Sequence, residues 1–235
     1  MTLTYDGTNY GGWQIQPNRN SIQETLQDAL KVLTQTDCPV TASGRTDAGV
    51  HALTQVAHLF LEKDLSPTTL NPLLPLDIRV KEIIPVPENF HARYSVKKKI
   101  YHYHIRFASD QAPLSYRYAT PISYPIDLNL LQKALPLLTG THDFSAFRGS
   151  LCGSKKPIKT LYRLEMILEE GGIRLEFEGD GFLYKMVRNI VGTLLEIASH
   201  KRPLSDLSKI LEGKDRRQAG PTAPPQGLFL VQAVY

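Results

Sequence analysis

The chain has 235 residues, 42% of them hydrophobic, and 27 Lys and Arg against 23 Asp and Glu leave a net charge of +4. That apolar content fills a real core and excludes a disordered chain. Two cysteines, Cys38 and Cys152, with no C-x-x-C pair, exclude a disulfide framework and a four-cysteine zinc site. No apolar run reaches the ~18 residues of a membrane span, and MTLTYDGTNY lacks the charged and apolar regions of a signal peptide. A cytoplasmic protein in a reducing compartment is expected.

Thr2 to Tyr5 reads as a short strand, and YDGTNYGGW after it as a turn-rich loop with Gly7, Gly11 and Gly12. Ser21 with Glu24 forms a capping-box pattern, and Ile22, Leu26, Ala29, Leu30 and Leu33 follow at helical spacing. Val56 to Leu61 reads as a strand, and Asp77 to Ile84 as another. Ile100 to Phe107 alternates, with Tyr101, Tyr103, Ile105 and Phe107 on one face and His102, His104 and Arg106 on the other. A stretch with Pro113, Pro121 and Pro125 then separates two halves, 1–107 and 108–235.

The second half opens on a helix capped by Asp127, with Leu130, Leu131, Ala134, Leu135 and Leu138 as its apolar stripe and Gly140 as its stop. Leu161 to Leu168 and Ile173 to Glu178 form a hairpin pattern around Glu169 to Gly172. Met186, Val187, Ile190, Val191, Leu194 and Ala198 make a second long helix, Leu204 to Leu211 a shorter one, and Leu228 to Tyr235 a closing strand. YDGTNY before the first helix echoes GDGFLY, Gly179 to Tyr184, before the Met186 helix, which reads as a duplicated strand-helix-strand unit. The expected fold is α+β: two similar subdomains with mixed, largely antiparallel sheets covered by helices, and an active-site cleft between them.

The nine residues GRTDAGVHA, Gly44 to Ala52, carry the most chemistry. They set Asp47 in a short turn two residues after Arg45, with small Ala48 and Gly49 behind it. A cation within ~4–6 Å favours the ionised carboxylate, the form that serves as nucleophile or base. Gly44, Asp47 and Gly49 also suit a plain turn. Basic residues gather at Arg93, Lys97, Lys98 and Lys99, at Lys155, Lys156 and Lys159, and at Lys214, Arg216 and Arg217. Such clusters suit a polyanion, because each phosphate neutralised releases counterions.

The GRTDAGVH run resembles the signature of the TruA-type tRNA pseudouridine synthases. YDGTNYGGWQ (Tyr5 to Gln14), FHARYS (Phe90 to Ser95) with KKKIYHYHI after it, HDFSAFR (His142 to Arg148), KMVRNIVG (Lys185 to Gly192) and AGPTAPPQGLFL (Ala219 to Leu230) match further motifs of that family in the same order. The resemblance implies that Asp47 is the essential catalytic residue. It makes Tyr101 the active-site tyrosine, its ring covering an extruded uracil and its hydroxyl taking part in loss of the C5 proton. Stacking of this kind is worth roughly 1–3 kcal/mol per base. It sets Arg188 against the aspartate, and gives Arg45 the work of moving the target base out. Lys97, Lys98 and Arg148 are candidate RNA contacts beside Arg45 and Tyr101.

The implied reaction breaks the N1 glycosidic bond of uridine, turns the uracil over and rejoins it through C5. No redox step or group donor is involved, so no cofactor is expected and no metal. This agrees with the absence of a GxGxxG or P-loop pattern. Asp47 has three routes: attack at the sugar C1′, attack at the base C6, or removal of a ribose proton. The resemblance further implies tRNA as substrate, at positions 38 to 40 of the anticodon stem-loop, and a homodimer in which one tRNA touches both subunits. The chain departs from the family pattern at its start, directly in the first strand, which is expected to leave an edge strand less anchored. It departs again at Ile100, in place of a basic residue, which removes one phosphate contact. Two rivals remain: a non-catalytic RNA-binding module on the same fold, and a metal-dependent hydrolase built on His102 and His104 with His91 and His58 nearby.

Overall fold

A computed structural model describes residues 1–62, 64–107, 113–150, 152–154 and 156–235, with the side chain of Leu114 outside the description. The strands are β1 (Thr2–Tyr5), β2 (Thr41–Ala42), β3 (His51–His58), β4 (Ile78–Glu82), β5 (Lys98–Phe107), β6 (Thr120–Ile122), β7 (Gly140–Asp143), β8 (Ile158–Glu169), β9 (Gly172–Gly179) and β10 (Leu228–Val234). The helices are α1 (Ile22–Thr34), α2 (Pro67–Leu70), α3 (Leu128–Ala134), α4 (Met186–Ala198) and α5 (Asp206–Gly213). The architecture is α+β. Two compact units emerge, Met1–Lys99 with Phe229–Tyr235, and Ile100–Leu228. The sequence division at residue 107 instead keeps Ile100–Phe107 with the first half and the closing strand with the second, because sheet pairing with distant strands is invisible in a linear pattern.

In the first unit β1 pairs antiparallel with β3 on one side and β4 on the other. It is an interior strand, so the expectation of a poorly anchored edge strand is corrected. Strand β10 returns to run parallel to β3, with Phe229 opposite His51 and Leu230 opposite Ala52. Helix α1 forms as its spacing dictates. The Ser21 hydroxyl accepts the Glu24 N–H at 3.2 Å, satisfying one orphan donor of the first turn, and Ile22, Leu26, Ala29 and Leu30 are buried. Strand β3 begins at His51, five residues ahead of the predicted Val56. The polar residues His51, Thr54 and Gln55 break the apolar pattern there, and His51 and Gln55 are buried none the less.

In the second unit β9 lies between β5 and β8, β7 follows on β8, and β6 pairs parallel with β5. The β8–β9 hairpin keeps Glu169 opposite Gly172, and Gly171 takes φ +68, a value that L side chains rarely adopt. The predicted helix from Asp127 is real but short. Asp127 caps it, its carboxylate accepting the Leu130 N–H at 2.9 Å, and beyond Ala134 the chain tightens to a 3₁₀ turn at Leu135–Leu138, where Pro136 supplies no N–H. Helix α4 is the centre of this unit: all its residues but Arg188 and Glu196 are buried, as expected of a helix covered on every side.

Candidate active site

Asp47 sits in a tight turn. Its carbonyl accepts the Val50 N–H at 3.1 Å, and Gly49 has φ +77. What presses on that turn is the loop after β1. Trp13 donates its backbone N–H to the Thr46 carbonyl at 3.1 Å, and Gly12 bridges to Asp47. Gly12 has φ +99, and a Cβ there would lie 2.5 Å from the Thr46 carbonyl oxygen. A Cβ on Gly7 would lie 2.0 Å from the Val50 carbonyl oxygen. These two glycines of YDGTNYGGW are therefore spacers that let one backbone touch another. The same loop is sewn to α1, because the Gly12 carbonyl accepts the Ile22 N–H and the Trp13 carbonyl accepts the Gln23 N–H.

Beneath the turn runs a buried polar chain. Gln55, with none of its surface exposed, donates to the Tyr5 hydroxyl at 3.3 Å and to the Gly44 carbonyl at 2.9 Å. The Ser43 hydroxyl donates to the Gln55 side-chain carbonyl at 2.6 Å, and the Tyr5 and Thr46 hydroxyls meet at 2.9 Å. Each of these side-chain groups has a hydrogen-bond partner, and together they hold the backbone on both sides of Arg45. Burial pushes the Tyr5 phenol up to about 12, keeping it a neutral hydrogen-bonding group. Lys99 joins this scaffold, donating to the Ser43 carbonyl at 2.5 Å. His51 stacks on Phe229 at 4.6 Å and receives the Gly7 N–H on Nδ1 at 3.1 Å.

The expected exposed Asp47–Arg45 pair is revised by this geometry. Asp47 is half-buried, while Arg45 is exposed and joins no ion pair among the described residues. A turn that buries Thr46 between two neighbours sends alternate side chains in different directions. Lys97 is exposed and Lys98 half-buried. Arg93 is exposed, its guanidinium over the Tyr94 ring at 5.7 Å.

Three sequence-predicted residues lie in the second unit. Tyr101 is 8% exposed, its ring edge-on to Phe182 at 5.0 Å, so the GDGFLY loop that leads into α4 backs the tyrosine. Tyr103, next on the same face, is fully buried and donates its hydroxyl to the Pro224 carbonyl at 2.8 Å. Arg188 is half-buried in the first turn of α4. Its Nε donates to the Ala223 carbonyl at 2.8 Å, and the Ala223 N–H returns to the Arg188 carbonyl at 3.0 Å. Arg148 is exposed at the end of HDFSAFR, directly after Phe147, whose carbonyl accepts Asn189 Nδ2 at 2.7 Å.

The last three motifs thus converge on one helix. Asn189 is fully buried and also accepts Arg216 at 3.0 Å and Thr222 at 2.6 Å on its Oδ1. A Cβ on Gly192 would lie 1.8 Å from the Pro221 carbonyl oxygen, and one on Gly220 would lie 2.8 Å from Thr193 Cα. Of Lys214, Arg216 and Arg217, expected to face a polyanion, Arg216 is instead taken up by protein acceptors, while the exposed Lys214 and Arg217 make surface pairs with Asp143 at 3.2 Å and Asp215 at 2.7 Å. Of the other cluster, Lys156 is exposed and Lys159 half-buried, and Lys155 lies outside the described residues.

The histidines pair with carboxylates. His104 Nδ1 lies 3.1 Å from Glu169, and His102 Nε2 lies 3.4 Å from Glu176. Arg174 bridges the same two glutamates at 3.0 and 2.8 Å, and Arg163 reaches Glu176 at 3.0 Å. Burial lowers both imidazoles below their ordinary value, against the pull of their glutamates. His58 and His91 belong to the first unit, their rings 4.8 Å apart. The cations among these glutamates disfavour a divalent ion.

Asp47 is thus half-buried on a braced turn of the first unit, while in the second unit Tyr101 is backed by a neighbouring loop and Arg188 is anchored in the first turn of its helix. The family model described as tRNA pseudouridine synthase matches residues 1–95 and 134–235. The chain is 52% identical to tRNA pseudouridine synthase A 1 of Protochlamydia amoebophila, covering 100% of this chain and 95% of that one. It is 44% identical to tRNA pseudouridine synthase A of Thermoanaerobacter sp. and 41% identical to that of Limosilactobacillus reuteri, covering all of this chain and 98% and 95% of theirs. The chain belongs to the tRNA pseudouridine synthase family.

Proposed function

We propose that this chain isomerises uridine to pseudouridine in tRNA, at positions 38 to 40 of the anticodon stem-loop, with Asp47 as nucleophile or base. The observation that carries the reading is the bracing of the Asp47 turn: Gly7, Gly12, Tyr5 and Gln55 hold it by backbone contact and buried hydrogen bonds. An RNA-binding surface has no need of so rigid a seat for one carboxylate, whereas catalysis depends on holding reacting groups in place. The family membership supports the same assignment.

In the reaction the target base leaves its stack, at a cost of a few kcal/mol that is lower in a loop than in a duplex. Asp47 acts at C1′, at C6 or on a ribose proton while the N1–C1′ bond breaks. The uracil turns, C5 bonds to C1′, C5 gives up its proton and N1 takes one, so the atoms balance with no added reagent. Tyr101 covers the base and assists loss of the C5 proton, and Arg188 stabilises charge. Arg45, exposed beside the turn, is suited to enter the stack as the base leaves. Lys97, Lys98 and Arg148 are the proposed phosphate contacts. Among the described residues no helix is long and apolar enough to cross a membrane. A cytoplasmic location and a homodimer that binds one tRNA across both subunits belong to the same reading, and sedimentation with and without tRNA tests the second.

Tritium release from tRNA labelled at uridine C5 tests the chemistry. Wild-type protein is expected to release it at the anticodon positions, and Asp47→Asn to release none while still binding tRNA. Binding without release by the wild type would leave the RNA-binding module as the better reading.

A further inference from the structure

Arg216 belongs to a basic cluster in the sequence, yet its side chain is half-buried and both of its Nη atoms are hydrogen-bonded within the protein. Nη1 donates to the Ala219 carbonyl at 3.2 Å and to the Gly220 carbonyl at 2.9 Å. Nη2 donates to Asn189 Oδ1 at 3.0 Å and to the Thr222 hydroxyl at 3.3 Å. Burial lowers its pKa from the ordinary guanidinium value, which still leaves it charged at any physiological pH. One guanidinium therefore clamps two partners at once: the loop Ala219–Thr222, and the helix α4 through Asn189.

That loop ends at Ala223, whose carbonyl and N–H both bond Arg188. The Nε contact sets the plane of the Arg188 guanidinium, and with it the directions in which the remaining N–H groups point. Thr222, the residue before Ala223, is held by Asn189 and Arg216 together. Gly220 has no room for a side chain against Thr193, and its N–H donates to the Thr193 hydroxyl at 2.8 Å. The loop has one seat, and Arg216 closes it.

We infer that Arg216 is a positioning residue for the isomerisation, acting through the Ala219–Ala223 loop to fix the guanidinium of Arg188. This rests on the function proposed above. A lysine in its place carries the charge but presents no planar fork to two carbonyls and a side-chain amide together.

The test measures kcat and KM for C5 tritium release with Arg216→Gln, Arg216→Lys, Arg188→Gln and the double Arg216→Gln/Arg188→Gln variant. Melting curves accompany each. About a tenfold or larger loss of kcat is expected for Arg216→Gln, with KM for tRNA within about twofold, since misplacement of a working group by ~1 Å costs up to about 100-fold. Arg216→Lys keeps the fold where Gln loosens it, and is expected to fall between. In the Arg188→Gln background the loss from Arg216→Gln should vanish, because both changes remove one function. A raised KM with kcat intact would make Arg216 an RNA contact and overturn the inference. So would losses that multiply in the double variant. An inactive wild type would instead strike the proposed reaction, so the two failures are separable.

Discussion

The Asp47 turn and the Arg188 turn each hold one charged side chain still, and they do it by different means. Around Asp47 the work is done by backbone against backbone: Gly12 on Thr46 and Gly7 on Val50, with a buried amide and two hydroxyls filling the gap. Around Arg188 it is done by side chains reaching across: Asn189, Arg216, Thr222 and Thr193 each bond a residue distant in sequence. A glycine contact is all or nothing, since a Cβ either fits or forces the backbone apart. A side-chain network is graded, since each bond removed leaves others in place. The two sites should therefore break differently under mutation.

Gly12→Ala gives the largest effect expected. The φ of +99 alone costs an L residue about 1–3 kcal/mol. The new methyl must also displace the Thr46 carbonyl, and Asp47 moves with it. We expect tritium release to fall by about 100-fold or more, with a clear loss in melting temperature, while Gly153→Ala, whose Cβ meets nothing within 4 Å, leaves both unchanged. Activity retained by Gly12→Ala would mean the turn is not held by that contact.

Asn189→Ala should be milder in rate and plain in stability. It strands the buried Phe147 carbonyl and takes an acceptor from the half-buried Arg216 and Thr222 side chains. Leaving buried groups unpaired costs about 1–3 kcal/mol, which thermal unfolding reads as a drop of several degrees for a chain of this size. Arg188 keeps its Ala223 bonds, so kcat should fall less than with Gly12→Ala. A larger loss of rate than of stability would show that the network serves geometry more than folding.

How far each region was legible follows from the same contrast. Helix α1 was readable because its buried residues repeat with the helical period behind the Ser21 cap, and α4 because its run of apolar residues keeps helical spacing although nearly all of it is buried. GRTDAGVHA was readable as a turn bearing an acid, and Gly7 and Gly12 as glycines in a loop. What pressed against them was not, because a glycine's letter names no partner. Gln55 was missed, and the start of β3 with it, since an inward amide looks like a break in an apolar strand. Lys99 and Arg216 were misread as surface charge. Their acceptors, the Ser43 carbonyl and the loop on α4, stand in other parts of the chain.

The smallest effect expected lies on the polar face of the second unit's sheet. His104 faces Glu169, Arg106 and Arg174, and His102 faces Glu176, Arg174 and Arg163. Burial lowers both imidazoles below 6.5, and the arginines add to that more weakly while the glutamates oppose it. The unfolded chain therefore takes up these protons before the folded one does. The stability they contribute is whole above about pH 6.5, drains away as the pH falls toward the lowered folded values, and levels off beneath them. Melting temperature should thus decline between pH 7.5 and 5.5, and a His102→Asn/His104→Gln variant should decline less. Because Asn and Gln do not titrate, an unchanged slope would place the pH dependence on other groups, and activity at pH 7.5 should be the same in both proteins.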